Sequence, residues 1–191
     1  YTPKGVFLNV PGDSRRAHFH AHSNGLLAMA EYSLTTDDQD LMEFVLRSYE
    51  WAKTQGDTLI GYFPENVNSM EWEGSELCEV ADMIAIALLL SERGVRDYWD
   101  DADRWIRNML AEGQLTSTDW IYRLHEANLI NPGPRYLGTT VPAPYSTTDR
   151  VPERNLGAFA GWPAANDWDV GNGPGIMHCC TGNGARAIYY V

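Results

Sequence analysis

The sequence predicts an all-α protein built from helical hairpins. Apolar residues recur at intervals of three and four along several segments, no stretch alternates convincingly between apolar and polar residues, and glycines stand at several helix ends. The 191 residues, 44% of them hydrophobic, can bury a sizeable core in one domain. Helical hairpins build bundles, solenoids and (α/α)6 toroids, and periodicity alone does not separate these architectures.

The first third of the chain is predicted to form one such hairpin. Its first helix starts near Ser23, which can act as the N-cap, and ends at the turn 35–37. The second helix follows at once, and Gly56 is placed to cap its C-terminus. Spacings of three and four residues identify its apolar face as Leu41, Phe44, Val45, Tyr49 and Ala52.

The middle of the chain contains the most apolar helix. A long polar and aromatic loop over 57–74 precedes Ser75, which can cap a helix that runs to Arg93, with Gly94 just past its end. This helix is apolar nearly all round, so we expect it to be buried. An amphipathic helix over 97–112, stopped by Gly113, and a shorter helix over 117–129 follow.

The last third changes in composition. Residues 131–175 contain most of the prolines and many glycines, which is typical of long functional loops. A final helix is predicted from about Thr181 to the end of the chain. Roughly six helices are thus predicted where a toroid of six hairpins needs about twelve, so we expect residues 1–191 to be a single, incomplete arc of a larger domain.

Charge and hydropathy argue against two classes of partner. The net charge of −12 and the pI of about 4.7 repel phosphate backbones, and no basic cluster interleaved with aromatic residues offsets this, so no nucleic-acid partner is expected. No apolar run reaches the roughly 18 residues of a membrane span, so no membrane association is expected. No signal peptide is visible, and localisation and oligomeric state are left open.

Loop aromatics favour a carbohydrate partner. Aromatic residues make up 12% of the chain, and several lie in its glycine- and proline-rich segments: Tyr136, Tyr145, Trp162 and Trp168. Flat apolar rings on loops above a rigid scaffold suit stacking against sugar rings. The alternative is that these rings pack under the loops.

Three cysteines and one glutamate are the candidate metal ligands. Cys179 and Cys180 are adjacent, where a mutual disulfide would be strained, and three cysteines cannot all pair within one chain. They are predicted to lie just before a helix, and Glu76 and Cys78 are predicted in the first turn of the buried helix. Three thiolates and a carboxylate form a soft tetrahedral set that suits Zn²⁺. The alternative is that the cysteines are buried as small hydrophobic residues.

These motifs resemble those of the zinc-dependent β-L-arabinofuranosidases, glycoside hydrolase family 127 and its relatives. The similarity rests on the segment Gly74-Ser75-Glu76-Leu77-Cys78 and on the Cys179-Cys180 pair followed by Asn183. It implies an (α/α)6 catalytic barrel with long loops at the active-site end. It also implies that Cys179 is the nucleophile of a retaining hydrolase and that zinc is bound by Glu76, Cys78, Cys179 and Cys180.

The resemblance further implies a glutamate proton donor in the loop before Glu76. A retaining glycosidase needs a second group, a proton donor, about 5 Å from its nucleophile. Glu65 is the best positional match, and Glu71 and Glu73 are alternatives. The plain alternative for Glu65 is a solvated loop carboxylate.

Other polar and aromatic residues are candidate contacts for the sugar. His18, His20 and His22 would point to one side if the segment were extended, and the family has a substrate-contacting histidine in a corresponding place. Surface or helix-capping histidines are the alternative. His178 stands beside the thiols, and Asp167 and Trp168, just upstream, are expected to line the same cleft. The candidate substrate-binding residues are His20, His22, His178, Asp167 and Trp168.

Three functions are therefore weighed. The first is a retaining glycoside hydrolase with a zinc-bound cysteine. The second is a carbohydrate-binding or scaffold domain with a purely structural zinc. A sealed metal site would favour this function. The third is a metal-free helical hydrolase that uses carboxylates such as Glu65 and Asp167.

Overall fold

The computed structural model describes residues 1–8, 17–67, 74–127, 149–168 and 175–191. Within these ranges no strand or sheet is formed, which confirms the predicted all-α class, and no helix has the length and apolar character needed to cross a membrane. A π-helical turn at Ile106–Leu110 continues α4. The α-helices are α1 (Phe19–Thr36), α2 (Gln39–Lys53), α3 (Leu77–Glu92), α4 (Trp99–Trp105), α5 (Asp119–Glu126), α6 (Val151–Arg154) and α7 (His178–Tyr190).

Helix α1 begins four residues before the predicted N-cap at Ser23. The Phe19 amide donates to the Glu65 carbonyl at 2.8 Å, which fixes the residue before the helix, His18, in an extended conformation as the N-cap. Ser23 is buried inside α1 instead, and its hydroxyl donates to Asp82 on α3 at 2.7 Å. A tertiary contact has therefore overridden the local capping signal.

Helix α2 follows α1 as predicted but ends at Lys53, before Gly56. Asp38 caps its N-terminus, since its carboxylate accepts from the Leu41 amide at 3.0 Å. Gly56 is not the C-cap. A Cβ at that position would collide with the carbonyl oxygen of Tyr62, so the glycine allows the two loop segments to approach closely.

Helix α3 is the centre of the fold. It is buried over most of its length and packs against α1, α4 and α7. Its N-cap is Glu76, one residue after the predicted Ser75, because the Ser75 hydroxyl is engaged by the Phe63 amide at 3.2 Å. Glu76 and Glu79 form a reciprocal capping box. Gly94, with φ of +67°, follows the C-terminal end as predicted.

Helix α7 begins at His178, three residues earlier than predicted. Cys179 and Cys180 therefore lie inside the first turn of α7 rather than before it. The helix packs on α3, and Gly184 lies where it contacts Leu77 of α3 and Phe159. A Cβ on Gly184 would lie 2.5 Å from the Phe159 ring and 2.9 Å from Cδ2 of Leu77.

Two glycines in α7 test this close packing. We expect Gly184→Ala to destabilise the protein by about 1–3 kcal/mol, because the added methyl group overpacks the α3–α7 contact. Gly182→Ala is the matched control, since a Cβ there meets no atom within 4 Å and should stabilise the helix by about 0.5–1 kcal/mol. Urea denaturation measures both, and equal effects of the two substitutions would refute the close approach at Gly184.

Candidate metal centre

The N-terminal ends of α3 and α7 bring the four candidate ligands together. Glu76 is the N-cap of α3 and Cys78 its second residue, while Cys179 and Cys180 are the second and third residues of α7. One donor atom from each lies within 4.8 Å of the others, although Cys78 and Cys180 are 102 positions apart in the chain. The fold thus assembles a Glu/Cys3 group that could hold a metal ion.

The distances within this group are short and the cysteines are unbridged. The Cys180 sulfur lies 3.5 Å from the sulfur of Cys78 and 3.7 Å from that of Cys179. Oε1 of Glu76 lies 3.4 Å from the Cys180 sulfur and 3.8 Å from the Cys179 sulfur. Glu76, Cys78 and Cys180 are buried, whereas Cys179 is partly exposed. Cys179 is therefore the thiol of the group that an external molecule can reach.

The electrostatics of the group favour a bound cation. Burial opposes ionisation of Glu76, but hydrogen bonds from His18, Cys78 and Cys180 outweigh it and lower its pKa to about 2. The hydrogen bond with Cys180 lowers the pKa of Cys78 against the effect of burial, while the same bond, with burial, raises the pKa of Cys180. Burial raises the pKa of Cys179. A metal ion would supply the positive charge that allows all three thiols to ionise together.

Glu65 and His18 lie beside Glu76 at the edge of the group. Nε2 of His18 donates to Oε2 of Glu76 at 2.8 Å, so the two carboxylate oxygens serve different neighbours. Donor atoms of His18, Glu65 and Glu76 lie within 4.8 Å of one another. Nε1 of Trp162 donates to Oε2 of Glu65 at 3.0 Å. Glu65 is therefore part of the centre's surroundings and not a freely solvated loop carboxylate.

A buried polar network lies behind the group. Oδ2 of Asp82 accepts from Nδ1 of His20 and from the Ser23 hydroxyl, both at 2.7 Å, and Oδ1 of Asp82 accepts from Arg186. Nδ2 of Asn183 lies 3.4 Å from Nε2 of His20 and donates to the Cys78 sulfur at 3.1 Å. His20 is thus connected to the centre through Asn183.

The other predicted substrate contacts within the described ranges are His22, His178, Asp167 and Trp168. His22 stacks on Phe7, with ring centroids 4.8 Å apart. His178 is exposed at the start of α7. Asp167 and Trp168 line a separate cleft of about 310 Å³ beside Trp120, and none of the four candidate ligands borders it. Four residues named from the sequence fall outside the described ranges: Glu71, Glu73, Tyr136 and Tyr145.

Comparisons of the chain with protein-family models, curated proteins and solved structures found no match. The functional interpretation therefore depends on the geometry of the centre and on the motifs that form it.

Several residues around the centre escaped sequence analysis. Glu79 and Asp82 are charged side chains in an otherwise apolar, fully buried segment of α3, and such residues must be paired or neutral. That signal was available in the sequence. Asp82 is paired as described, and burial raises the pKa of Glu79, whose Oε1 accepts from the Glu76 amide at 2.6 Å. Nothing in the local sequence marks Arg186, and the signals that mark Ser23 as a helix cap and Trp162 as a loop aromatic do not point to their hydrogen bonds with Asp82 and Glu65.

The unequal exposure of the three thiols predicts unequal reactivity. In the metal-free native protein we expect iodoacetamide to alkylate Cys179 first, because Cys78 and Cys180 are buried. Tandem mass spectrometry of the peptides separates the three sites. Cys179→Ser should remove the fast phase, and added divalent metal should suppress it in the unaltered chain. Equal alkylation rates at the three thiols would contradict the described burial.

Proposed function

We propose that this chain is the catalytic part of a retaining glycoside hydrolase similar to the β-L-arabinofuranosidases, acting on a glycan or oligosaccharide. The Glu/Cys3 group would hold one zinc ion, Cys179 would be the nucleophile and Glu65 the acid/base. The observation that carries the proposal is the convergence of the Glu/Cys3 group, including the partly exposed Cys179, with Glu65 beside Glu76.

The donor set and its spacing fit zinc. In a tetrahedral site, bond lengths of about 2.3 Å to sulfur and about 2.0 Å to oxygen place sulfurs about 3.8 Å apart, and sulfur and oxygen about 3.5 Å apart. The short sulfur–sulfur distances here are 3.5 and 3.7 Å, and those from Oε1 of Glu76 to sulfur are 3.4 and 3.8 Å. Three sulfurs and one oxygen also favour zinc over magnesium or calcium.

The direction of the helices supports a site at one end of a helical toroid. The N-terminal ends of α1, α3 and α7 meet at the centre, where they contribute His18, Glu76 and Cys179. Helix N-termini carry partial positive charge and favour the anionic forms of a carboxylate and of thiols. In this proposal α1–α4 and α7 are part of an (α/α)6 barrel whose loops surround the sugar.

The proposed reaction is a double displacement. When bound, zinc would lower the thiol pKa so that Cys179 is ionised at neutral pH. The Cys179 thiolate attacks the anomeric carbon and forms a carbon–sulfur bond as the bond to the leaving oxygen breaks, and Glu65 gives its proton to that oxygen. Water then attacks the same carbon, Glu65 accepts a proton from it, and the thiolate is released. Trp162 orients Glu65 through the hydrogen bond to Oε2.

A scaffold with a structural zinc is the second candidate, and burial favours it. Three of the four ligands are buried, and four protein ligands leave no open position on a tetrahedral ion. In that case the ion would join the ends of α3 and α7 without taking part in catalysis. The partial exposure of Cys179 and the position of Glu65 favour the hydrolase.

Metal content tests the centre itself. Protein purified without added metal should contain one zinc per chain by elemental mass spectrometry, and Cys78→Ala and Cys180→Ala should each lose it, because each removes a buried ligand. Glu43→Gln, which changes an exposed carboxylate on α2, is the control and should retain the ion. Wild-type protein that is folded but contains no zinc would contradict the zinc assignment.

Two substitutions test the chemistry on p-nitrophenyl and alkyl β-L-arabinofuranosides. Cys179→Ser should abolish turnover of both substrates, because it removes the nucleophile. Glu65→Gln should lower kcat for the alkyl glycoside by about 10²–10⁴, and less for the p-nitrophenyl glycoside, whose leaving group needs little protonation.

The same change at Glu71 and at Glu73 decides among the three candidate acids. The residue whose glutamine variant shows this dependence on the leaving group is the acid/base. If Cys179→Ser binds zinc and still turns over substrate, Cys179 is not the nucleophile. A wild-type chain that binds zinc but cleaves no glycoside would favour the scaffold.

A further inference from the structure

Asp82 is a buried anchor between two helices beside the metal centre. Its side chain is fully buried on α3 and accepts hydrogen bonds from Ser23 and His20 on α1 and from Arg186 on α7. A carboxylate that accepts from three donors has a fixed orientation. Asp82 is therefore suited to fix the side chains around it, and His20 is the one that faces the centre.

The anchor determines which nitrogen of His20 carries a hydrogen. The Asp82 carboxylate only accepts, so Nδ1 of His20 donates to it at 2.7 Å. In the neutral ring Nε2 is then an acceptor, and it faces Nδ2 of Asn183 at 3.4 Å. An acceptor at this place requires the amide nitrogen of Asn183, and not its oxygen, to point towards His20.

The same amide nitrogen contacts a candidate metal ligand. It has two hydrogens, of which one is directed to His20 and the other to the Cys78 sulfur at 3.1 Å. With the amide reversed, its oxygen would face a thiolate, and two acceptors would repel each other. Which nitrogen of His20 carries the hydrogen therefore decides whether Cys78 receives a hydrogen bond.

We propose that Asp82 acts through His20 as a positioning residue that makes Asn183 donate to Cys78, and that this relay fixes Cys78 as a firmly held ligand. Hydrogen-bonding partners beyond the ligands orient and tune a metal site. Cys78 receives this amide donor, whereas Cys179 contacts Glu76 and Cys180. A hydrogen-bonded thiolate is a weaker nucleophile than one without such a bond. The relay would therefore make Cys78 a metal ligand and leave Cys179 as the more reactive sulfur.

The relay predicts a specific effect of the substitution Asp82→Asn. The new amide can donate to Nδ1 of His20, which moves the ring hydrogen to Nε2. Nε2 would then oppose the amide hydrogens of Asn183, and the Asn183 amide would turn its oxygen towards both His20 and Cys78. Asp82→Asn should therefore weaken metal binding only through its effect on Asn183.

A double-mutant cycle tests this coupling in the full chain with zinc and cobalt as probes. We expect Asn183→Ala and Asp82→Asn each to weaken zinc binding by about tenfold or more in competition with a chromophoric chelator. The double variant should bind no more weakly than Asn183→Ala alone. Asn183→Ala should also shift the thiolate-to-metal absorption of the cobalt form. Asp101→Asn, which removes another largely buried carboxylate paired with Lys53, is the control and should change neither readout.

The outcomes are separable from those of the hydrolase proposal. Wild-type zinc affinity and an unchanged cobalt spectrum in Asn183→Ala would overturn the relay, and so would additive effects of the two substitutions. Urea denaturation of the metal-free variants separates weakened binding from unfolding, and if Asp82→Asn does not fold, Asn183→Ala alone decides. The relay depends on a metal at the Glu/Cys3 group and not on glycoside cleavage, so coupling in a chain that hydrolyses nothing would support it. A chain that binds neither metal would overturn it.

Discussion

The contact between the first turns of α3 and α7 is the constraint on which the rest of the structure depends. Gly184 lets α7 approach Leu77 and Phe159, and this approach places the sulfurs of Cys78 and Cys180 3.5 Å apart. Farther along, the ion pair between Asp82 and Arg186 joins the same two helices. Packing thus determines the distance between the helices, and the ion pair of the buried Asp82 with the partly exposed Arg186 supports it. The centre is therefore assembled by side chains that are not its ligands.

Burial explains how each carboxyl group at α3 near the centre is accommodated. A carboxylate taken out of water must be paired, hydrogen-bonded or neutral. Asp82 is paired with Arg186, Glu76 accepts from His18, and Glu79 has its pKa raised by burial. The thiols are the exception, since their closest contacts are one another, Glu76 and Asn183. This difference makes the three thiols, together with the Glu76 oxygen that faces them, the natural place for a cation.

Sequence periodicity predicted the helices better than it predicted their ends. The beginning of α1 depends on a backbone bond from Phe19 to Glu65, 46 positions away, which no local pattern contains. The meeting of Glu76 and Cys78 with the cysteine pair could be predicted, because three thiols and a carboxylate suit one shared metal ion and the two motifs resemble a known zinc-binding pair. The histidines could not be placed, because the sequence does not show that His20 and His22 lie on a helix, where residues two apart point about 200° away from each other. As a result, His20 joins the centre and His22 packs against Phe7.

Glu76 has two roles that cannot be separated. Its side chain closes the capping box of α3 with Glu79, and Oε1 faces the thiols. An ion held there would bind only the folded arrangement, so its free concentration would enter the unfolding equilibrium as a thermodynamic variable. The melting temperature of the protein would then depend on the free metal concentration. When metal is scarce, the folded fraction of the chain would fall.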